Sequence, residues 1–188
     1  MHQSDVRTPE EHPAVLAFSR TQRMAANERA QAITRDILAE IAEGLKPGVS
    51  EDDLFARAET VFRSHDVVKR WHVPYIRFGS HTAQSIAIGA RPEPPNMLRE
   101  TDIAFIDIGP VIDVDGVEIE GDLGRTYVLG ENPLHLELQR LSAELFMDGL
   151  AYWRERQPTG TELYRHLIRR TEEAGYAWNL PEAGHLIG

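Results

Sequence analysis

Residues 105–109 read FIDIG, and residues 121–126 read GDLGRT. Each stretch places one aspartate, Asp107 or Asp122, beside glycine at the end of a candidate strand. The apolar run before Asp107 is typical of a strand that is buried on both faces. If the two strands pair, both carboxylates reach one cleft, where a bound cation removes their mutual repulsion. The spacing indicates a divalent-metal site, although aspartates at strand ends also commonly cap turns.

Two helical patterns precede these two stretches in the sequence. Apolar residues recur at steps of three and four from Arg23 to Leu45, and Lys46-Pro47-Gly48 ends that helix. Ser50 starts a second helix, because Asp53 stands three residues later in capping-box position. Both helices are therefore predicted to pack an apolar side against a core.

The middle of the chain is β-rich. Short strands are predicted at Val67–Val68, Tyr75–Ile76 and Ser85–Ile88, and Asp115–Gly116 is a hairpin-turn signal. A returning strand is predicted from Asp122 to Leu129. The aromatic residues of this region line a pocket or, more commonly for such a pattern, belong to the core; they are Trp71, Tyr75 and Phe78.

Two more helices follow the strands. Asn132 caps the first, Pro133 occupies its first turn, and four leucines form its apolar stripe; these are Leu134, Leu138, Leu141 and Leu145. The second is predicted from Thr161 to Ala174. Two helices, a β-rich middle, two helices and the start of another β segment predict an α+β fold.

Composition limits the class of protein. The 188 residues are 41% hydrophobic, which predicts one domain, here residues 23–188 after an N-terminal arm at residues 1–22. A formal charge of −10 argues against nucleic-acid binding. There is no apolar run long enough to span a membrane, and the first twenty residues lack a secretory signal. Cysteine is absent, so thiolate chemistry is excluded, and we expect a cytoplasmic protein.

Three motifs together resemble the pita-bread superfamily of methionine aminopeptidase, aminopeptidase P, prolidase and creatinase. They are DIG at residues 107–109, DLGRT at residues 122–126 and GHLIG at residues 184–188. Two further segments are similar to that superfamily: LRETD at residues 98–102, which leads into the strand of Asp107, and PGVSE between the first two helices. The resemblance runs from about residue 23 to the end and implies a pita-bread fold, an antiparallel-rich sheet with helices packed on one side.

The resemblance also implies a dinuclear metal site. Asp107 would ligate one ion, Asp122 would bridge two, and His185 would bind the other. Two glutamates beyond the histidine complete such a site, so we expect the domain to be incomplete at Gly188 and the polypeptide to continue. Oxygen-rich ligation suits manganese, cobalt, iron or zinc.

One departure concerns the catalytic histidine. Peptidases of this superfamily carry a histidine shortly before the first metal strand, whereas residues 88–91 read IGAR here. His81 and His72 lie further upstream and are the candidates to replace it as catalytic residues. Each is equally compatible with an ordinary packed or exposed histidine.

The sequence predicts a metal-dependent hydrolase of a peptide or related C–N bond, aminopeptidase-like and acting on a small peptide. A guanidino or amide compound, as in creatinase, is the second substrate class. The alternative is a catalytically inactive pita-bread domain that serves as a binding module. A third interpretation is an unrelated α+β domain with chance matches, and a homodimer is left open.

Overall fold

The computed structural model describes residues 19–67, 69–84, 89–180 and 182–185, and within these ranges helices flank an antiparallel sheet. The α+β class is therefore confirmed. The predicted strand at Ser85–Ile88 and most of the predicted N-terminal arm lie outside the described residues. The elements, in chain order, are α1 (Arg20–Ala42), α2 (Glu51–Ser64), β1 (Lys69–Phe78), a 3₁₀ helix (Gly79–Ala83), β2 (Ile103–Val114), β3 (Val117–Glu120), β4 (Leu123–Val128), α3 (Pro133–Arg156) and α4 (Gly160–Glu173).

Capping side chains set where the first two helices begin. Ser19 and Gln22 form a capping box, so α1 starts three residues earlier than its apolar pattern predicts. The predicted box of α2 is present, since Asp53 N donates to Ser50 Oγ at 3.0 Å and Ser50 N donates to Asp53 Oδ2 at 3.1 Å. Capping residues thus locate the first residue of a helix more accurately than the apolar stripe does.

The long strand β2 lies at the centre of the sheet. It pairs antiparallel with β1 on one side and with β3 and β4 on the other. Asp115 and Gly116 form the β2–β3 turn with φ of 55° and 84°, as a two-residue hairpin requires. The predicted turn is therefore correct.

The strands β3 and β4 form one returning strand with a break at Gly121–Asp122. Val111 pairs with Glu120 and Ile108 with Leu123, so the register is the same on both sides of the break. The predicted returning strand from Asp122 to Leu129 corresponds only to its second half. Its first half, the short β3, was missed because turn residues and acidic residues dominate that stretch.

The break lies against helix α1. A Cβ at Gly121 would lie 2.0 Å from the Thr34 Oγ1 atom, so only glycine permits this approach. The Gly121 amide donates to the Pro110 carbonyl at 2.7 Å, which keeps the two strands joined across the break.

The core lies between the sheet and helices α1 and α2. Phe78 is fully buried there, so of the two interpretations of this residue the core position is correct. Alternate residues of the central strand point into the same core. The largest buried side chains include Ile37, Leu38, Ile41, Leu54, Ile106 and Ile108.

Helix α3 lies outside this core. Among the described residues of α3 only Gly149 is buried, and a Cβ there would lie 3.2 Å from Leu167 of α4. Leu134, placed on the predicted apolar stripe, is 51% exposed, so the stripe is not buried along its whole length. The pattern indicates a helix correctly, but it cannot tell how much of the stripe is covered. Among the described residues, no helix combines the length and apolar character needed to cross a bilayer.

Candidate metal centre

Two glycines of the β2–β4 pair leave room for two aspartates. Asp107 lies opposite Gly124, and the unchanged register places Asp122 opposite Gly109. All four residues therefore share one face of the sheet. A Cβ at Gly124 would lie 3.5 Å from Asp107 Oδ1, which is ordinary contact distance, so the carboxylate is bordered by backbone there. The sheet thus directs both carboxylates into one cleft.

A histidine from β1 joins these two aspartates. One ligand atom each of His72, Asp107 and Asp122 lies within 4.8 Å of the others, and all three side chains are half-buried. His72 pairs with Gly109, and Tyr75 pairs with Asp107. From His72 to Tyr75 the chain advances three residues in β1, whereas β2 advances only two between the partner residues. This extra residue is a β-bulge, and it turns His72 toward the cleft.

Hydrogen bonding and aromatic packing hold the His72 ring. Its Nδ1 lies 2.7 Å from the Val73 carbonyl, and because a carbonyl only accepts, Nδ1 carries the hydrogen. The Tyr75 ring stacks on the imidazole with 5.1 Å between centroids, and Trp71 packs edge-on at 4.5 Å. When the ring is neutral, it therefore presents the lone pair of Nε2.

His185 approaches the same carboxylates from the segment after α4. Its Nε2 lies 3.2 Å from Asp122 Oδ2, and its ring packs on Trp71 with 4.4 Å between centroids. Its side chain is 39% exposed, against 24% for that of Asp122. The structure thus brings the three predicted metal ligands, from β2, from the start of β4 and from the C-terminal segment, to one place.

Burial makes the two carboxylates costly to ionise. Burial raises the pKa of Asp107; the charge of His72 lowers it, that of Asp122 raises it, and that of His185 lowers it. The pKa of Asp122 is also raised, again chiefly by burial, and is lowered by His185 and His72. Two such carboxylates side by side favour a bound cation over two free negative charges.

The donor set fits a divalent ion. Carboxylate oxygens and imidazole nitrogens are the ligands that manganese, cobalt, iron and zinc accept. Asp107, Asp122, His72 and His185 are therefore the residues that could hold a metal.

The second candidate catalytic histidine, His81, is placed in a different setting. Its Nδ1 lies 2.9 Å from Glu51 Oε2 at the start of α2. Glu51 is 4% exposed and also accepts from the amides of Phe78, at 2.7 Å, and Asn96, at 2.9 Å. This buried cluster ties the end of β1 to α2, and His81 is not in the metal-binding group found among the described residues.

Sequence reasoning did not separate the roles of Trp71 and Tyr75. Both lie at the site, where Trp71 contacts two imidazoles and the Tyr75 hydroxyl accepts from the Gly89 amide at 3.2 Å. A Cβ at Gly109 would lie 2.4 Å from Trp71 Nε1 and 2.5 Å from His72 Cδ2. The glycine opposite Asp122 thus admits both rings, a contact that the sequence does not reveal because the bulges in β1 break its alternation.

These features define a pita-bread domain, in which helices cover one face of an antiparallel sheet and a candidate metal centre lies on the other. The model of the metallopeptidase family M24 matches residues 25–188, and the chain belongs to that family.

Solved structures share the fold at low sequence identity. The prolidase from Pyrococcus horikoshii is 21% identical, with a TM-score of 0.68 over 90% of this chain and 47% of its own. The X-Pro aminopeptidase from Thermotoga maritima is 16% identical, with a TM-score of 0.65 over 84% and 43%. A zinc-substituted aminopeptidase P from Escherichia coli, in complex with product, is 19% identical, with a TM-score of 0.59 over 83% and 34%.

The chain therefore spans less than half the length of these three proteins. No curated protein matches it in a comparison of sequences.

Proposed function

We propose that this domain serves the metal-dependent hydrolysis of the peptide bond at the N-terminal end of a small peptide. The observation that carries the proposal is the convergence of Asp107, Asp122 and His185 in one cleft of an M24 domain. A divalent ion, when bound there, would polarise the scissile carbonyl and activate water for attack. The names of the structural neighbours, prolidase and aminopeptidase, support a peptide as substrate.

The residues of this chain would hold and orient the ion. We assign Asp107 to one ion, Asp122 to the bridging position and His185 to the other ion. Two ions need more acidic ligands than these, and in the pita-bread superfamily two glutamates supply them. Manganese, cobalt, iron and zinc remain candidates, and the zinc-substituted neighbour supports a divalent ion in such a fold.

Of the two candidate catalytic histidines, the geometry favours His72 over His81 as a residue of this site. His72 lies beside both aspartates, whereas the ring of His81 is held by Glu51. We also propose a cytoplasmic location, since the sequence has no cysteine. A homodimer is a further proposal; it would cover exposed apolar side chains of α3 such as Phe146, which is 69% exposed.

A hydrolysis assay tests the proposal. The protein, loaded in turn with Mn²⁺, Co²⁺ and Zn²⁺, is offered short peptides, including X-Pro peptides, and guanidino compounds. We expect metal-dependent peptide turnover that Asp107→Asn abolishes at unchanged helical content. Asp52→Asn is the matched control, because Asp52 is an exposed aspartate of α2 that pairs with Arg91 at 2.9 Å.

The same assay separates the alternatives. Turnover of guanidino compounds alone would move the assignment to a creatinase-like hydrolase. A metal-loaded protein that turns over neither class contradicts the proposal and favours the inactive binding module.

A further inference from the structure

The His72 ring has the surroundings of a metal ligand. A histidine that binds a metal through one ring nitrogen commonly donates the other N–H to a backbone carbonyl, which fixes the tautomer and the ring orientation. The Val73 carbonyl takes this hydrogen at 2.7 Å, and Tyr75 and Trp71 pack against the ring. The remaining nitrogen, Nε2, has its lone pair available to a cation.

The distances permit one ion among the three side chains. Ligand atoms at about 2.1 Å from one ion lie at most about 4.2 Å apart. The observed separations in the group of His72, Asp107 and Asp122 are at most 4.8 Å. The side chains therefore need to close by little more than half an ångström, which rotation about their side-chain bonds supplies.

We propose that His72 is a metal ligand, and that with Asp107 and Asp122 it forms a complete binding position for one divalent ion. The inference rests on the proposed function. It goes beyond it because this position needs neither His185 nor any residue that follows it. On the other side of Asp122, His185 Nε2 lies 3.2 Å from Asp122 Oδ2.

The role of metal ligand requires the neutral His72 ring, whereas the role of proton donor requires the protonated one. A general acid must hold a proton on the atom that faces the substrate. In the neutral ring the hydrogen is on Nδ1, which faces the Val73 carbonyl, and Nε2 has none to give. Two carboxylates and one imidazole leave coordination positions open for water and substrate, as a catalytic ion requires.

Metal titration of the 188-residue protein tests the inference. The protein is stripped with a chelator and titrated with Mn²⁺ by calorimetry, and pulsed electron paramagnetic resonance detects nitrogen bound to the ion. We expect one tight ion with a nitrogen signal. His72→Ala should weaken binding at least ten-fold and remove that signal, because even loss of an outer partner of a metal ligand weakens binding about 10–100-fold.

Two other histidines serve as controls. His65→Ala removes a half-buried histidine that pairs with Glu40 at 2.8 Å, and it should bind the ion as the wild type does. His185→Ala should keep the nitrogen signal, since His72 remains. Circular dichroism checks the fold, and His72→Gln replaces His72→Ala if the alanine variant is unfolded.

The outcomes separate this inference from the proposed function. It is overturned if the His72 variants bind Mn²⁺ as tightly as His65→Ala with the same nitrogen signal, or if the wild type binds no ion. An ion bound through His72 in a protein that hydrolyses no peptide would support this inference while the proposed function fails. Peptide hydrolysis with a nitrogen signal that depends on His185 alone would give the reverse result.

Discussion

Replacing Gly109 by alanine tests how closely the sheet, the aromatic rings and the metal position are linked. The new Cβ would lie 2.4 Å from Trp71 Nε1, 2.5 Å from His72 Cδ2 and 2.6 Å from Trp71 Cδ1. Ordinary contacts of a Cβ begin near 3.4 Å, so both rings must move by about 1 Å. Overpacking of this kind costs about 1–3 kcal/mol. Because Trp71 is 39% exposed and can move outward, we expect a loss in the lower half of that range.

The displacement should also reach the metal. Moving the His72 ring by about 1 Å takes Nε2 away from the two carboxylates, so we expect Mn²⁺ affinity to fall about ten-fold or more. Gly124→Ala is the matched control on the facing strand, where the new Cβ would lie 3.5 Å from Asp107 Oδ1. A strand glycine costs about 0.5–1 kcal/mol relative to alanine, so the control should be neutral or slightly stabilising.

Urea unfolding of the metal-free variants and calorimetric titration with Mn²⁺ measure the two effects. We expect the two variants to differ by about 1–2 kcal/mol in free energy of unfolding, which is the overpacking cost, because the gain of alanine over glycine in a strand is common to both. A Gly109→Ala protein as stable as Gly124→Ala, with equal Mn²⁺ affinity, would refute the close packing of the rings against β2 and with it the fixed position of His72.

Two further substitutions separate metal binding from stability. Asp122→Asn should stabilise the metal-free protein by about 1 kcal/mol. Repulsion between the Asp107 and Asp122 carboxylates, at no more than 4.8 Å, amounts to about 3 kcal/mol or more at an effective dielectric constant of 20, and the nearby histidines offset part of it. Because the pKa of Asp122 is raised in the folded protein, the metal-free wild type loses stability as pH rises from 3.8, the ordinary pKa of aspartate, through the raised pKa. Urea unfolding across this pH range should show a smaller loss of unfolding free energy in Asp122→Asn than in the wild type. An equal loss in both proteins would contradict the raised pKa of Asp122. His81→Ala should cost about 1.5–3 kcal/mol, because it removes a hydrogen bond to the buried Glu51 carboxylate, yet leave Mn²⁺ affinity unchanged. Reduced Mn²⁺ affinity in a folded His81 variant would instead place His81 at the metal site.

Local signals in the sequence predict much of the framework. The capping box of Ser50 and Asp53, the cap at Asn132 and the turn at Asp115–Gly116 each act within a few residues, so each could be read without the fold. These two caps and this turn lie where they were predicted, because the physical cause of each is local. Asp107 lies on its predicted buried strand, but its predicted place at the end of that strand is wrong, because β2 continues through Gly109 and Pro110 to Val114.

The environment of His72 could not be predicted in the same way. The register shift between His72 and Tyr75 places these two residues on the same face, although simple alternation puts residues three apart on opposite faces. The two short strands predicted around residues 67–76 reflect this broken alternation; Val67 precedes β1, and Val68 lies outside the described residues. A β-bulge can be identified only when the partner strand and its register are known. The same holds for the contact of Gly109 with the rings of Trp71 and His72.

Glycine faces each aspartate of this site, but only one of the two positions requires it. In an antiparallel pair each residue faces one partner, and here both aspartates face a glycine. At Gly124 a Cβ would lie 3.5 Å from Asp107 Oδ1, which is ordinary contact distance, so this position accepts alanine. At Gly109 the missing side chain leaves room for Trp71 and His72 from β1. The strand pair β2–β4 thus supplies the two carboxylates. The space at Gly109, opposite Asp122, lets the third strand, β1, add the His72 imidazole. All three side chains of the proposed metal position therefore come from the sheet, and none comes from a helix.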